Sequence, residues 1–129
     1  NSGTGKTHLA SALAFAACIS TASFAECTYP RAPGKAPDGN VATREEMVAG
    51  KKLVDEYNAK MTEYLACIKA EYDDALAKGG ASLSEDQKKQ MATIYTQKND
   101  SAVDELTGIA NNLNEQIRAF KAKSSTAAK

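Results

Sequence analysis

The chain has 129 residues, and its 16 basic and 16 acidic side chains give a formal net charge of zero. This length is enough for one small domain, and the balanced charge gives no electrostatic footprint for nucleic acid or an anionic membrane. The only histidine is His8. A domain without the first residues would therefore hold no histidine for Ser–His or Cys–His catalysis, or for a zinc site.

The first seven residues read NSGTGKT and match the second half of the Walker A pattern G-x-x-x-x-G-K-[ST], which holds nucleotide phosphates and Mg²⁺. Residues 1–18 resemble the loop and following helix of IstB-like transposition helper ATPases, which are related to DnaA-type ATPases. The resemblance implies ATP and Mg²⁺ as cofactors, with nucleotide-binding residues Gly5, Lys6 and Thr7. After residue 20, however, no strand-like run of Val, Ile or Leu ends in an acidic residue. A cytoplasmic ATP-binding fragment is therefore kept as the alternative hypothesis.

The same stretch is also typical of a signal peptide, and we favour a signal peptide over residues 1–25. Lys6 supplies the positive charge, and residues 9–19 form an apolar run that is too short to cross a bilayer. Small residues precede a predicted cleavage point after residue 25, and residues 1–5 are expected to be extraneous. The protein is then periplasmic or secreted, with a lipoprotein attached through Cys18 as the alternative.

Residues 26–42 are predicted to form an extended arm, because their three prolines lack an amide donor and hold their neighbours extended. In an exported chain, Cys27 and Cys67 are expected to form a disulfide. Such a bridge closes a loop of about 40 residues and stabilises the fold by roughly 4 kcal/mol through chain entropy. It would tie the arm antiparallel along the first helix.

Two long helices are predicted after the arm, each starting at a capping box in which Glu or Gln follows a hydroxyl residue by three positions. They span residues 43–78 and 84–123, with Gly79 and Gly80 between them. Both carry apolar residues at spacings of three and four, which is typical of amphipathic helices and coiled coils. The sequence therefore predicts an all-α fold, a long antiparallel helical hairpin over residues 43–123.

The second helix has two open points. Lys98, Asn99 and Asp100 interrupt its apolar stripe, so a break near Asn99 would give a three-helix bundle instead of a hairpin. Residues 124–129 continue no stripe and are predicted to be a disordered tail. Because a hairpin has little core, either the arm covers the stripes or two copies pair as a homodimer through their helix faces.

Three tyrosines of the first helix, Tyr57, Tyr64 and Tyr72, lie at spacings of seven and eight and therefore on one side. They form a candidate binding surface, because tyrosine suits contacts that are half buried and half wet. The alternative is that the arm or the second helix covers these rings. In that case Tyr29 of the arm is expected to stack on the row.

No catalytic residue, metal site or cofactor is predicted for residues 26–129. Glu71, Asp73 and Asp74 are clustered, but they lack the spacing and the glycine of an EF-hand loop. We interpret them as a solvated helix face.

The segments Cys27–Pro30, Pro37–Gly39 and Thr43–Cys67 resemble small uncharacterised exported proteins of Gram-negative bacteria, over most of residues 9–123. The resemblance implies a periplasmic helical protein and transfers no catalytic residue. The expected function is non-enzymatic, in binding, chaperoning or envelope structure, with an unknown protein or envelope partner. No nucleic acid and no membrane span after cleavage are expected.

Overall fold

The computed structural model describes residues 26–128, so the predictions made for residues 1–25 lie outside it. After an arm without regular structure, α1 spans Arg44–Gly79, a 3₁₀ turn spans Gly80–Ser82, and α2 spans Glu85–Ala127. The two helices pack against each other as an antiparallel hairpin. The predicted all-α hairpin is therefore confirmed.

Both helices begin at the predicted capping boxes. The Thr43 hydroxyl accepts the N–H of Glu46 at 3.2 Å, and the Glu46 carboxylate accepts the N–H of Thr43 at 2.7 Å. Ser84 and Gln87 repeat this exchange at the start of α2. α1 stops at Gly80, whose φ of 47° is a conformation that residues with a Cβ disfavour.

The core follows a coiled-coil repeat along α1, with buried residues at alternating spacings of three and four. These residues are Met47, Gly50, Val54, Tyr57, Met61, Tyr64 and Ile68. The centre of the core lies midway along the hairpin, where Met61 and Ala102 of α2 are both fully buried. The small Ala102 side chain lets α2 approach the larger residues of α1 closely.

α2 excludes the alternative of a break and is longer than predicted. It is continuous through Asn99, so the three-helix alternative is wrong for this chain. Polar residues there do not break the helix, because the stretch contains neither proline nor glycine. α2 also continues to Ala127, beyond the predicted end at residue 123. The hydroxyls of its last residues donate to carbonyls four positions earlier, which is compatible with helix.

The arm lies antiparallel to α1 and touches both helices. Its start is joined to α1 by the predicted disulfide between Cys27 and Cys67, whose Cα atoms are 5.8 Å apart. Further along, Pro37 lies against Gly50 of α1. At the end of the arm, Lys123 of α2 donates to the carbonyl of Ala42 at 2.9 Å. The arm is therefore a third layer, fixed at both ends.

Candidate binding cleft

A single carboxylate links the arm to both helices. Glu105 of α2 accepts a hydrogen bond from the Tyr57 hydroxyl of α1 at 2.8 Å through Oε1. Its other oxygen, Oε2, accepts from the Tyr29 hydroxyl of the arm, also at 2.8 Å. The Tyr29 ring also contacts Tyr64, with 4.9 Å between the ring centroids, but it packs edge-on and is not stacked as expected. These contacts hold the arm at a fixed distance from both helices.

The environment of Glu105 raises the pKa of both tyrosines that donate to it. Desolvation by burial is the largest cause for Tyr57 and Tyr29, and the hydrogen bond to Glu105 and its negative charge add to it. Burial, followed by the charge of Glu71, likewise raises the pKa of Tyr64. Stability contributed by these groups is fully present below the ordinary tyrosine pKa of 10.0 and is lost as pH rises through the raised values.

Replacing Glu105 by glutamine is expected to lower the pKa of the slowest-titrating tyrosines. The amide still accepts hydrogen bonds, but it no longer repels a tyrosinate. In an ultraviolet tyrosinate titration of the folded protein, the last ionisation phase should move to lower pH. The free energy of unfolding should also fall less steeply above pH 10 than in the wild type. Glu115→Gln, at an exposed position on α2, is the control and should leave the last phase in place. An unchanged phase in E105Q would contradict the role given to Glu105.

A cleft of about 800 Å³ lies next to this carboxylate, between the arm and the helices. The arm forms one wall, Val54 of α1 contributes an apolar patch, and α2 forms the other wall. The residues of α2 in this wall are Glu105, Gly108, Ile109, Asn112 and Gln116. The volume lies within the range of ligand pockets, roughly 300–1,000 Å³.

The arm wall of the cleft is an extended backbone with unused hydrogen-bonding groups. From Cys67 to Gly50, α1 covers about 26 Å at 1.5 Å per residue. The arm spans the same distance from Cys27 to Pro37 in ten residues, so each arm residue advances about 2.6 Å, far more than in a helix and somewhat less than in a fully extended chain. Within the described chain, residues 31–36 have no hydrogen-bond partner. Five of these six residues carry an amide donor, because only position 33 is proline.

The helix wall offers side-chain amides and one open position. Asn112 and Gln116 can each donate and accept, and Gln116 Oε1 already accepts the N–H of Gly39 at 2.9 Å. Gly108 lies between Glu105 and Asn112, and a Cβ built on it meets no heavy atom within 4 Å. The glycine therefore leaves room in the cleft that a larger side chain would fill.

The three candidate tyrosines of α1 are not arranged as an open surface. Tyr57 is 3% exposed and Tyr64 is 8% exposed, and both belong to the core beneath the arm and α2. Tyr72 is half-buried and stacks on Tyr95 of α2, with 4.9 Å between ring centroids. Their packing corresponds to the alternative in which the arm and α2 cover the row.

The acidic cluster of α1 is dispersed by its contacts. Glu71 accepts the N–H of Cys27 at 3.3 Å, so it faces the arm. Asp73 pairs with Lys69, and Asp74 pairs with Lys78 at 2.7 Å, on the exposed side of the helix. The three carboxylates therefore do not converge on one ion.

Three predicted features lie outside the described residues. These are the nucleotide-binding positions Gly5, Lys6 and Thr7, the lipid attachment site at Cys18, and the signal peptide. In residues 26–128 no helix is long and apolar enough to cross a membrane.

Fold and cleft define the chain as an all-α hairpin with a disulfide-anchored arm. No protein-family model, curated protein or solved structure matches it.

Proposed function

We propose that this is an exported, non-enzymatic binding protein that holds an extended peptide segment of a protein partner in the cleft. The observation that carries the proposal is the backbone of the arm: residues 31–36 have donors and acceptors without a partner in the described chain, and residues 32–36 line the cleft. Extended peptides bind to such a backbone by main-chain hydrogen bonds, as in strand addition to a sheet edge. The cleft beside the arm gives the peptide a place to lie.

The opposite wall supports the same choice of ligand. Asn112 and Gln116 carry amides that can both donate and accept, as the peptide backbone does. Val54 and Ile109 provide apolar surface for side chains of the ligand. This combination favours a peptide over a highly anionic small molecule. Lys35 is the only basic residue in the cleft lining, so such a ligand would find a single cation there.

Export is supported by the disulfide. Bridges such as Cys27–Cys67 form and persist in oxidising compartments, and they are rare in the cytosol. We propose the periplasm or the extracellular space as the site of action, in agreement with the signal peptide predicted over residues 1–25.

Selection from a phage-displayed library of random linear peptides tests the proposed function. We expect enrichment of binders, whose affinity is then measured by fluorescence anisotropy of the labelled synthetic peptide. Methylating alternate backbone nitrogens of that peptide should weaken binding at least about tenfold, because each lost hydrogen bond contributes about 1 kcal/mol. Equal binding of the methylated peptide would exclude pairing with the arm backbone.

The Gly108→Leu variant tests whether the peptide binds in the cleft. The leucine side chain fills open space, so binding should fall at least about tenfold, while stability stays equal or rises by up to ~1 kcal/mol because glycine disfavours helix. Thr107→Leu is the matched control, because Thr107 is exposed, adjacent in α2 and outside the cleft lining. Wild-type binding by G108L, or failure of the library to yield any binder, would refute the proposal.

A further inference from the structure

The disulfide that anchors the arm lies against a carboxylate. The Sγ atoms of Cys27 and Cys67 and a carboxylate oxygen of Glu71 are all within 4.8 Å of one another, and the three residues are half-buried. Glu71 follows Cys67 by four residues, so both side chains lie on one face of α1. We propose that reduction of this disulfide creates a binding site for a thiophilic divalent cation such as Zn²⁺ or Cd²⁺, with Cys27, Cys67 and Glu71 as ligands.

The ligand set suits such an ion. Zn²⁺ binds thiolate sulfur at about 2.3 Å and carboxylate oxygen at about 2.0–2.2 Å, in a tetrahedral arrangement. Two thiolates on one tetrahedral zinc are about 3.8 Å apart. The two sulfurs reach this separation by rotation of their side chains, while the Cα atoms keep their spacing of 5.8 Å.

The three ligands stay close to one another when the sulfur–sulfur bond is cut. Cys67 and Glu71 are one turn apart on α1, which is continuous through both. Cys27 is held by Tyr29, two residues further along the arm, through the ring contact with Tyr64 and the hydrogen bond to Glu105. The arm therefore remains attached by contacts that do not depend on the disulfide.

A second cavity gives access to this position. It measures about 410 Å³ and is lined by Cys67 together with Thr28, Pro30 and Tyr64. A reductant and an ion can approach the Cys67 sulfur through it. It also has room for water as the fourth ligand that a three-residue site requires.

The chemistry balances with a dithiol as reductant. The dithiol transfers two electrons and two protons to the disulfide and becomes a disulfide itself, and Cys27 and Cys67 become thiols. The ion then binds both as thiolates and releases two protons. Because a sulfur in the disulfide is not a thiolate, the ion and the disulfide exclude each other. A bound ion therefore protects the reduced form against reoxidation.

Titration of the reduced chain with Cd²⁺ tests the proposal. The protein is reduced with a phosphine, freed of it under argon, and followed by the ultraviolet thiolate-to-cadmium charge-transfer band. We expect one ion per chain, two protons released per ion, and displacement of Cd²⁺ by competing Zn²⁺. The ion should also raise the Tm of the reduced protein. Cys67→Ser should remove the band.

Glu71→Gln separates a built site from a simple dithiol. It should weaken Cd²⁺ binding about tenfold or more, because the substitution removes a direct metal ligand. Loss of a residue that only supports a ligand already lowers metal affinity about tenfold. Glu63→Gln is the matched control: Glu63 also lies four residues from Cys67 and lines the neighbouring cavity, but it is not in the ligand group. If reduction unfolded the arm around Cys27, Glu71 would no longer lie beside both sulfurs, and E71Q would bind Cd²⁺ like the wild type. That result, or no stoichiometric binding, would overturn the proposal.

Discussion

Replacing Cys27 and Cys67 together by alanine is expected to lower the free energy of unfolding by about 4 kcal/mol. The disulfide closes a loop of 40 residues, and this constraint removes conformational entropy from the unfolded chain. A domain of this size has a total stability of roughly 5–15 kcal/mol, so the loss is large. Urea denaturation followed by far-ultraviolet circular dichroism measures it as a lower midpoint.

Reductant provides the control for this loss. The wild-type protein in excess reductant should unfold at about the midpoint of the double variant, and the double variant should not respond to reductant. The folded spectrum should stay helical, because both capping boxes and the packing of α1 on α2 are independent of the sulfurs. A double variant with the midpoint of the oxidised wild type would show that the disulfide does not stabilise the fold.

Gly39→Ala is expected to destabilise the protein by about 3 kcal/mol, the upper part of the range for overpacking. A Cβ at this position would overlap the carbonyl oxygen of Gln116 and lie 2.8 Å from the backbone nitrogen of Phe120. Both are helix backbone atoms, so no side-chain rotation relieves the overlap. The arm must move off α2, and the hydrogen bond from Gly39 to Gln116 is lost with it. Urea denaturation of the oxidised protein measures the change.

Gly34→Ala is the matched control in the same arm. A Cβ on Gly34 meets no heavy atom within 4 Å, and its φ is not positive. This variant should be neutral or more stable by about 0.4–1 kcal/mol, because alanine restricts the unfolded chain. If G39A and G34A unfolded at the same midpoint, the close approach of the arm to α2 would not exist in solution.

Local chemistry made much of the fold predictable. The starts of both helices depend on residues three positions apart, Thr43 with Glu46 and Ser84 with Gln87, and these signals can be recognised without knowing the fold. The end of α1 depends on a glycine with positive φ. The disulfide was predictable from two cysteines that follow a segment typical of a signal peptide.

The cleft could not be predicted, because it depends on contacts between distant parts of the chain. Glu105 is separated by 76 residues from Tyr29 and by 48 from Tyr57. Nothing local distinguishes it from the other acids of α2, since its role depends on how α1 and α2 align. The same holds for Glu71, which joins the two cysteines only because the arm brings Cys27 to it. The tyrosine row and Tyr29-Pro30 were the available signals, and they indicated the contact of the arm but not the carboxylate.

The alternative of a break in α2 remained open for a different reason. Polar residues around Asn99 weaken an apolar stripe, but in a helix that packs on only one side they remain compatible with its backbone. A gap in the row of apolar residues is therefore a poor guide to where such a helix ends.

The position of the disulfide also determines how the molecule carries mechanical load. Tension applied at Glu26 passes through Cys27 directly into α1 at Cys67. Residues 28–66, which include the arm wall of the cleft, lie inside the covalent ring and outside the path of the force. In a pull between Glu26 and the end of α2, the covalent path of the force therefore bypasses the arm wall of the cleft and runs through its α2 wall.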